Sequence, residues 1–245
     1  MEVTLLPVNE QEVINKLYIA CRTCYSAGTP NDNYRLASSE DKTAENTEKK
    51  LKLINRVISS GHLSTIEHQQ LTFLISGVSR SLTHQLVRHR LCSFSQQSQR
   101  YVQFKSGMFD YVIPKSIQDN EAALDIFNKA MAADSNCYEK LIELGIPAED
   151  ARSVLPNACA SNITMSLNLR ELTHLCNERL CSCSQLEIRL MVREMVKETL
   201  KQLPFLKPYL VPKCEMLGYC NESKERSCGR KYTAEVVFGS LGVYN

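Results

Sequence analysis

The amino-acid sequence predicts an α+β layer structure, on two observations. Long stretches with apolar residues at helical spacing alternate along the chain with a few short strand-like ones, and glycine and proline signals separate them. Residues 3–8 alternate as a short strand, and 10–21 form a helix with Val13, Ile14, Leu17 and Ile19 on its apolar positions. Residues 31–40 are polar and turn-rich. A helix over 45–58 stops at Ser59-Ser60-Gly61, where the glycine relieves a left-handed cap. The run 70–77 is a largely buried strand, and Gly77 turns the chain into a helix over 79–89. Aromatic and β-branched residues give 101–113 a strand-like pattern, closed by Pro114.

Residues 121–144 are a long amphipathic helix, followed by Gly145 and a shorter helix near Pro147 with Glu149 and Asp150 in its first turn. From Ser161 a short strand leads into a helix over 168–202, with a break at the cysteine-rich stretch; Pro204, Pro208 and Pro212 mark its end.

The chain has 245 residues and is 43% hydrophobic, enough for one compact unit over 1–245, with 203–245 as a variable C-terminal extension. Lys and Arg total 29 against 27 for Asp and Glu, so the global balance draws the chain neither to nucleic acid nor to membrane. No apolar run approaches bilayer length and no signal peptide opens the chain, so a cytoplasmic protein is expected. Eleven cysteines, an odd number in a long chain without a signal, are expected to be reduced, and Cys92 and Cys159 to serve packing or loops.

Between Glu67 and Asp110 there is no Asp or Glu, yet Arg80, Arg88, Arg90, Arg100, Lys105, His68, His84 and His89 fall there. That asymmetry fits either a positive cleft for a small phosphorylated ligand or a solvated basic face. Gln85 and Arg88, three apart, share a helical face, so an amide and a guanidinium fork reach one ligand. Gln96, Ser98 and Arg100 follow with further donors. Neither GxGxxG nor GxxxxGK[ST] is present. His62 and His68 frame Ser64 and Glu67 without an HExxH, so Glu67 reads as orienting a donor and no metal is expected. A second polar concentration holds Asn168, Arg170, His174 and Arg179, and Arg152 stands on an amphipathic helix; ordinary ion pairing is the simpler reading of each arginine alone.

At these residues the sequence resembles the flavin-dependent thymidylate synthase family. The signature Arg-His-Arg, two residues, Ser, four residues, Ser, one residue, Arg is matched by Arg88-His89-Arg90, Ser93, Ser98 and Arg100. Further blocks occur in the family's order: Ala20 to Tyr25, His62 to His68, Ala151 to Pro156, Asn168-Leu169-Arg170, Asn177-Glu178-Arg179 and Gln185 to Arg189. The resemblance implies a central, mostly antiparallel sheet packed with long helices. It also implies methylation of dUMP to dTMP, with 5,10-methylenetetrahydrofolate as carbon donor and NADPH, or NADH, reducing FAD.

By the same resemblance Gln85, Arg88, Gln96, Ser98, Arg100 and Arg152 bind dUMP, Arg152 from another subunit of a homotetramer. His62, Ser64, Glu67, Arg88, His89, Arg90, Gln96, Asn168, Arg170 and His174 lie around FAD, and Arg179 stabilises negative charge on the uracil ring. Many members carry Asn, Glu and Asn where Ser95, Gln96 and His174 stand here. Ser98 is a positioning group, since no Ser-His-Asp arrangement activates it.

Two other readings compete. An RNA-binding module would use the basic segment 80–105, with Arg88, Arg90 and Arg100 on phosphates and Tyr101 stacking on bases; the small net charge and the absence of an RNA motif argue against it. A zinc site would use Cys214, Cys220 and Cys228 with Cys181 or Cys183, but their spacings form no compact CxxC pair.

Overall fold

Alternating apolar side chains on two ten- and nine-residue strands set the centre of the molecule. The computed structural model describes residues 1–39, 44–102 and 109–238. Strands β1 (Glu2–Leu5), β2 (Gln70–Ser79), β3 (Ser93–Gln96) and β4 (Ala160–Asn168) form one antiparallel sheet in the order β1-β2-β4-β3. Leu71, Phe73 and Ile75 of β2 stand opposite Leu167, Met165 and Ile163 of β4, and all six are buried. Because strand side chains alternate, these six point to one face.

The helices are α1 (Glu10–Tyr25), α2 (Pro30–Ser39), α3 (Ala44–Ser59), α4 (Arg80–Leu86), α5 (Lys115–Gln118), α6 (Glu121–Glu143), α7 (Ala148–Ala151), α8 (Leu169–Arg179), α9 (Leu186–Gln202), α10 (Lys213–Leu217) and α11 (Ala234–Phe238). Val13, Ile14 and Leu17 of α1, Leu172 and Leu175 of α8, and Ile188, Met191 and Met195 of α9 complete the core with that face of the sheet. The opposite face is polar: Thr72 and Ser166 share a 2.8 Å hydrogen bond, and Leu74 is exposed. The α+β expectation, with an antiparallel sheet and long helices, is what the chain forms. Among the described residues no helix is long and apolar enough to cross a membrane.

Local chemistry fixes the boundaries. Asn9, Ser79, Asn120 and Asn168 each accept a backbone N–H in the first turn of α1, α4, α6 and α8, caps worth about 1 kcal/mol apiece. Gly61, at φ 87°, closes α3 as its sequence signal requires. Gly77, at φ 68°, acts differently from its reading: it sits in a β-bulge between Ile75 and Val78, and β2 continues to Ser79 before α4 begins.

Three other expectations are corrected. Of residues 31–40, read as turn-rich, 31–39 lie in α2 and Glu40 lies outside the described residues; Thr29 and Asp32 form a reciprocal capping box in which Asp32 Oδ2 accepts from the Thr29 N–H and Thr29 Oγ1 from the Asp32 N–H. Residues 93–96, read as part of a polar stretch, are the edge strand β3, where Phe94 packs on the core and β4 takes the backbone hydrogen bonds. The strand over 101–113 is not formed at its described end: Tyr111 makes an isolated bridge to Cys159, and residues 103–108, Lys105 among them, lie outside the described residues. The break in the last long helix falls at Leu180 to Gln185, between α8 and α9, as the cysteine-rich stretch suggested.

Candidate active site

The acid-free segment is held at its start by a carboxylate from a distant helix. Glu187 of α9 accepts from the Ser79 N–H at 2.7 Å and the Ser79 hydroxyl at 2.6 Å, while Ser79 Oγ accepts from the Leu82 N–H at 3.0 Å. This fixes the first turn of α4, which ends at Leu86. The following turn exposes Arg88 and Arg90 and buries His89 between them, so the Arg-His-Arg motif alternates two solvent-facing cations with one inward imidazole.

His89 lies at the centre of a relay. Its Nδ1 is 3.3 Å from Glu171 Oε1, and its Nε2 accepts from Arg179 Nε at 3.0 Å; Arg179 Nη2 also donates to the Gln85 carbonyl at 3.4 Å. Burial, then the charges of Arg179 and His174, holds the His89 pKa down to about 4. The imidazole is therefore neutral at pH 7, and because Nε2 accepts from Arg179 its proton sits on Nδ1, the nitrogen that faces Glu171. Only that tautomer leaves Nε2 a lone pair for Arg179. Burial raises the Glu171 pKa, against the opposing charge of His174. The exposed His174 meets His89 edge-on, ring centroids 5.8 Å apart. Glu171, Glu187 and Glu149 were not among the expected site residues; Glu149 was named only as a first-turn acid of the short helix and Glu187 only within a matched block. Glu171 had a faint signal, three residues after the capping Asn168, but its carboxylate turns to His89 rather than back to the cap.

A pH dependence follows. An unfolded histidine titrates near 6.5, whereas folded His89 resists protonation until about pH 4. The folded-state depression means that the contribution to stability is complete above about pH 6.5 and is lost as pH falls toward the folded value. Urea midpoints measured from pH 7 to pH 4.5 are expected to fall, and the fall should be shallower in His89→Gln. Equal slopes in the two proteins would remove His89 from the account.

The remaining expected site residues gather in smaller groups. Gln85 donates to the Ser81 carbonyl at 3.3 Å and to Gln185 at 3.2 Å, and Gln96 donates to Thr83 at 3.1 Å and Ser161 at 3.0 Å. Ser98 Oγ accepts from the Arg100 N–H at 3.1 Å. Arg100 pairs with the Glu149 carboxylate and lies over the Tyr101 ring, and Arg152 Nε donates to the Glu149 carbonyl at 2.9 Å. Arg152 stands in a single 3-10 turn after the four-residue α7, not on an amphipathic helix.

His62 precedes a 3-10 segment, Leu63–His68, and stacks on Tyr25; Ser64 lines a cavity of about 410 Å³ between that segment and α1. Glu67 pairs with Arg170. Asn168 caps α8 through Oδ1, so α8 carries Asn168, Arg170, His174 and Arg179 from one end to the other. The single chain thus brings Gln85, His89, His174 and Arg179 together, and Arg100 with Arg152 around Glu149, as two groups with different partners.

A family described as "Thymidylate synthase complementing protein" matches residues 8–205. The chain is 45% identical over 228 residues to a flavin-dependent thymidylate synthase of Nitratidesulfovibrio vulgaris, covering 89% of this chain and 91% of the relative. It is 37% identical to one from Geobacter sulfurreducens, covering 92% and 93%. Among solved structures, a UMP/dUMP methylase PolB from Streptomyces cacaoi, bound with 5-Br dUMP, superposes with a TM-score of 0.64 at 23% identity, covering 83% of this chain and 92% of that one, and shows the same fold. With its signature residues folded around α4 and α8, this chain belongs to the flavin-dependent thymidylate synthase family of enzymes.

Proposed function

We propose that the chain methylates dUMP reductively to dTMP, with 5,10-methylenetetrahydrofolate as carbon donor and NADPH or NADH as electron source through FAD. The observation that carries this reading is the fixed guanidinium of Arg179, anchored by Nε on neutral His89 and by Nη2 on a backbone carbonyl. A uracil ring must gain negative charge before C5 can attack an electrophilic methylene. An oriented cation that cannot lose its proton lowers the cost of that charge.

The side chains suit a flavin dinucleotide. Arg88, Arg90 and Arg170 offer forked donors of the kind a pyrophosphate accepts, His62, His174 and the Asn168 amide offer donors for ring carbonyls and ribose, Gln96 offers its carbonyl oxygen as an acceptor, and His89 supports them from behind by holding Arg179. Ser64 and Glu67 shape the 3-10 segment beside them, Glu67 by holding Arg170. When bound, FAD supplies the hydride transfer that no side chain can perform. Gln85, Arg88, Gln96, Ser98 and Arg100 position dUMP. Arg152 reaches it from a second subunit of a homotetramer, as closed oligomers that share clefts between subunits allow.

The test is an anaerobic single turnover of purified protein with reduced FAD, dUMP and methylenetetrahydrofolate, with dTMP measured directly. About one dTMP per flavin is expected. Flavin retained with no dTMP formed overturns the proposal.

A further inference from the structure

Five of the eleven cysteines gather far along the chain from the Arg-His-Arg motif. Cys181, Cys214, Cys220 and Cys228 line a cavity of about 80 Å³ between the α8–α9 turn and the segment after Pro212. The ligand atoms of Cys181, Cys183 and Glu222 lie within 4.8 Å of one another. None of these thiols is in a disulfide.

The cavity wall also carries Arg189, Arg193, Lys213, Arg226 and Arg230 beside Glu178 and Glu222. Two buried polar atoms on that wall, Asn177 Oδ1 and Arg189 Nε, have no hydrogen-bond partner.

Among the described residues the C-terminal segment buries little of itself. From Lys213 onward only Cys220 and Thr233 are buried among the described residues. Yet the Cys220 N–H donates to the Tyr232 carbonyl at 2.7 Å, the Ala234 N–H to the Cys220 carbonyl at 2.9 Å, and Cys183 Sγ to the Arg226 carbonyl at 3.3 Å. A short segment with almost no apolar burial holds a defined course when a disulfide or metal staples it.

We propose that this cavity is a structural zinc site, built on Cys181 with a donor set drawn from Cys183, Glu222 and the thiols of Cys214, Cys220 and Cys228. The ion staples the C-terminal segment to the α8–α9 turn. Zinc suits the donors: it takes four tetrahedral ligands, prefers thiolates, tolerates a carboxylate and brings no redox chemistry, whereas calcium and magnesium require oxygen cages. These are the cysteines weighed from the sequence; their spacing forms no compact CxxC pair because the donors come from two stretches that meet only in the fold.

The protein is purified under reducing conditions, loaded with Zn²⁺ and dialysed, and its metal content is measured. One zinc per chain is expected, lost in Cys181→Ser and in the combined Cys214→Ser, Cys220→Ser, Cys228→Ser variant, and kept in Cys137→Ser, an exposed thiol on α6 outside the cavity. Should the cavity variants fail to fold, the parent is loaded with Co²⁺, which must show thiolate-to-metal charge-transfer absorption, and chelation must speed proteolysis of the C-terminal segment. Absence of bound zinc after loading, zinc retained in folded Cys181→Ser, or a Co²⁺ complex without thiolate bands overturns the proposal. None of these readings depends on enzyme activity.

Discussion

Arg179→Ala is expected to slow methyl transfer to dUMP several hundredfold while leaving FAD bound. Removing one preorganised donor from a site where charge develops costs about 3 to 4 kcal/mol of transition-state stabilisation. Arg179 has the features that make such a donor effective. Its Nε and Nη2 are already committed to His89 and to the Gln85 carbonyl, so the direction of the remaining N–H groups is set before substrate arrives. It is half-buried, where a charge acts more strongly than in open water.

Lysine in its place keeps the charge but cannot engage both anchors with one planar group, so Arg179→Lys should recover only part of the loss. The check is the single-turnover rate of dTMP formation together with the flavin absorbance of the purified variant. Parent-like turnover rejects the role. Loss of flavin along with turnover moves Arg179 from the chemistry to cofactor binding.

The supports of Arg179 show where sequence reasoning stops. Arg179, His89 and Gln85 could be named as candidates from the sequence because His89 lies in the Arg-His-Arg signature, Gln85 stands three residues before Arg88 and Arg179 closes a second polar block. The Glu171 carboxylate beneath His89 was not, because nothing at position 171 announces a partner on the far side of the core. The same holds for Glu187, 108 residues from Ser79. The long helices and β2 were legible from their periodicity, since each buries its own apolar face. Strand β3 was not, because an edge strand with Ser93, Ser95 and Gln96 gains its order from β4 rather than from its own side chains. The helix α2 escaped for a smaller reason: its capping box begins at Thr29, just before the polar run that looked like a turn.

Glu187 supplies the second large effect. Its carboxylate accepts two hydrogen bonds from Ser79, and hydrogen bonds to a charged group are worth about 1.5 to 3 kcal/mol each, so Glu187→Ala should cost about 3 to 5 kcal/mol. For a chain of this size that corresponds to a fall of roughly 10 °C in melting temperature. Much of the cost is the buried Ser79 N–H left without an acceptor, so Glu187→Gln, which can still accept that bond, should lose less.

Ser79→Ala removes the hydroxyl bond and the α4 cap but keeps the N–H bond, and a double-mutant cycle with Glu187→Ala should therefore show strong coupling. Additive losses would mean that the two residues support α4 independently. Because α4 leads into Gln85 and His89, Glu187 acts on Arg179 only through the position of that helix. The variant assayed well below its melting temperature should then keep flavin and most of its methyl-transfer rate, in contrast to Arg179→Ala, and this separates a residue that holds the site in place from one that acts on the substrate.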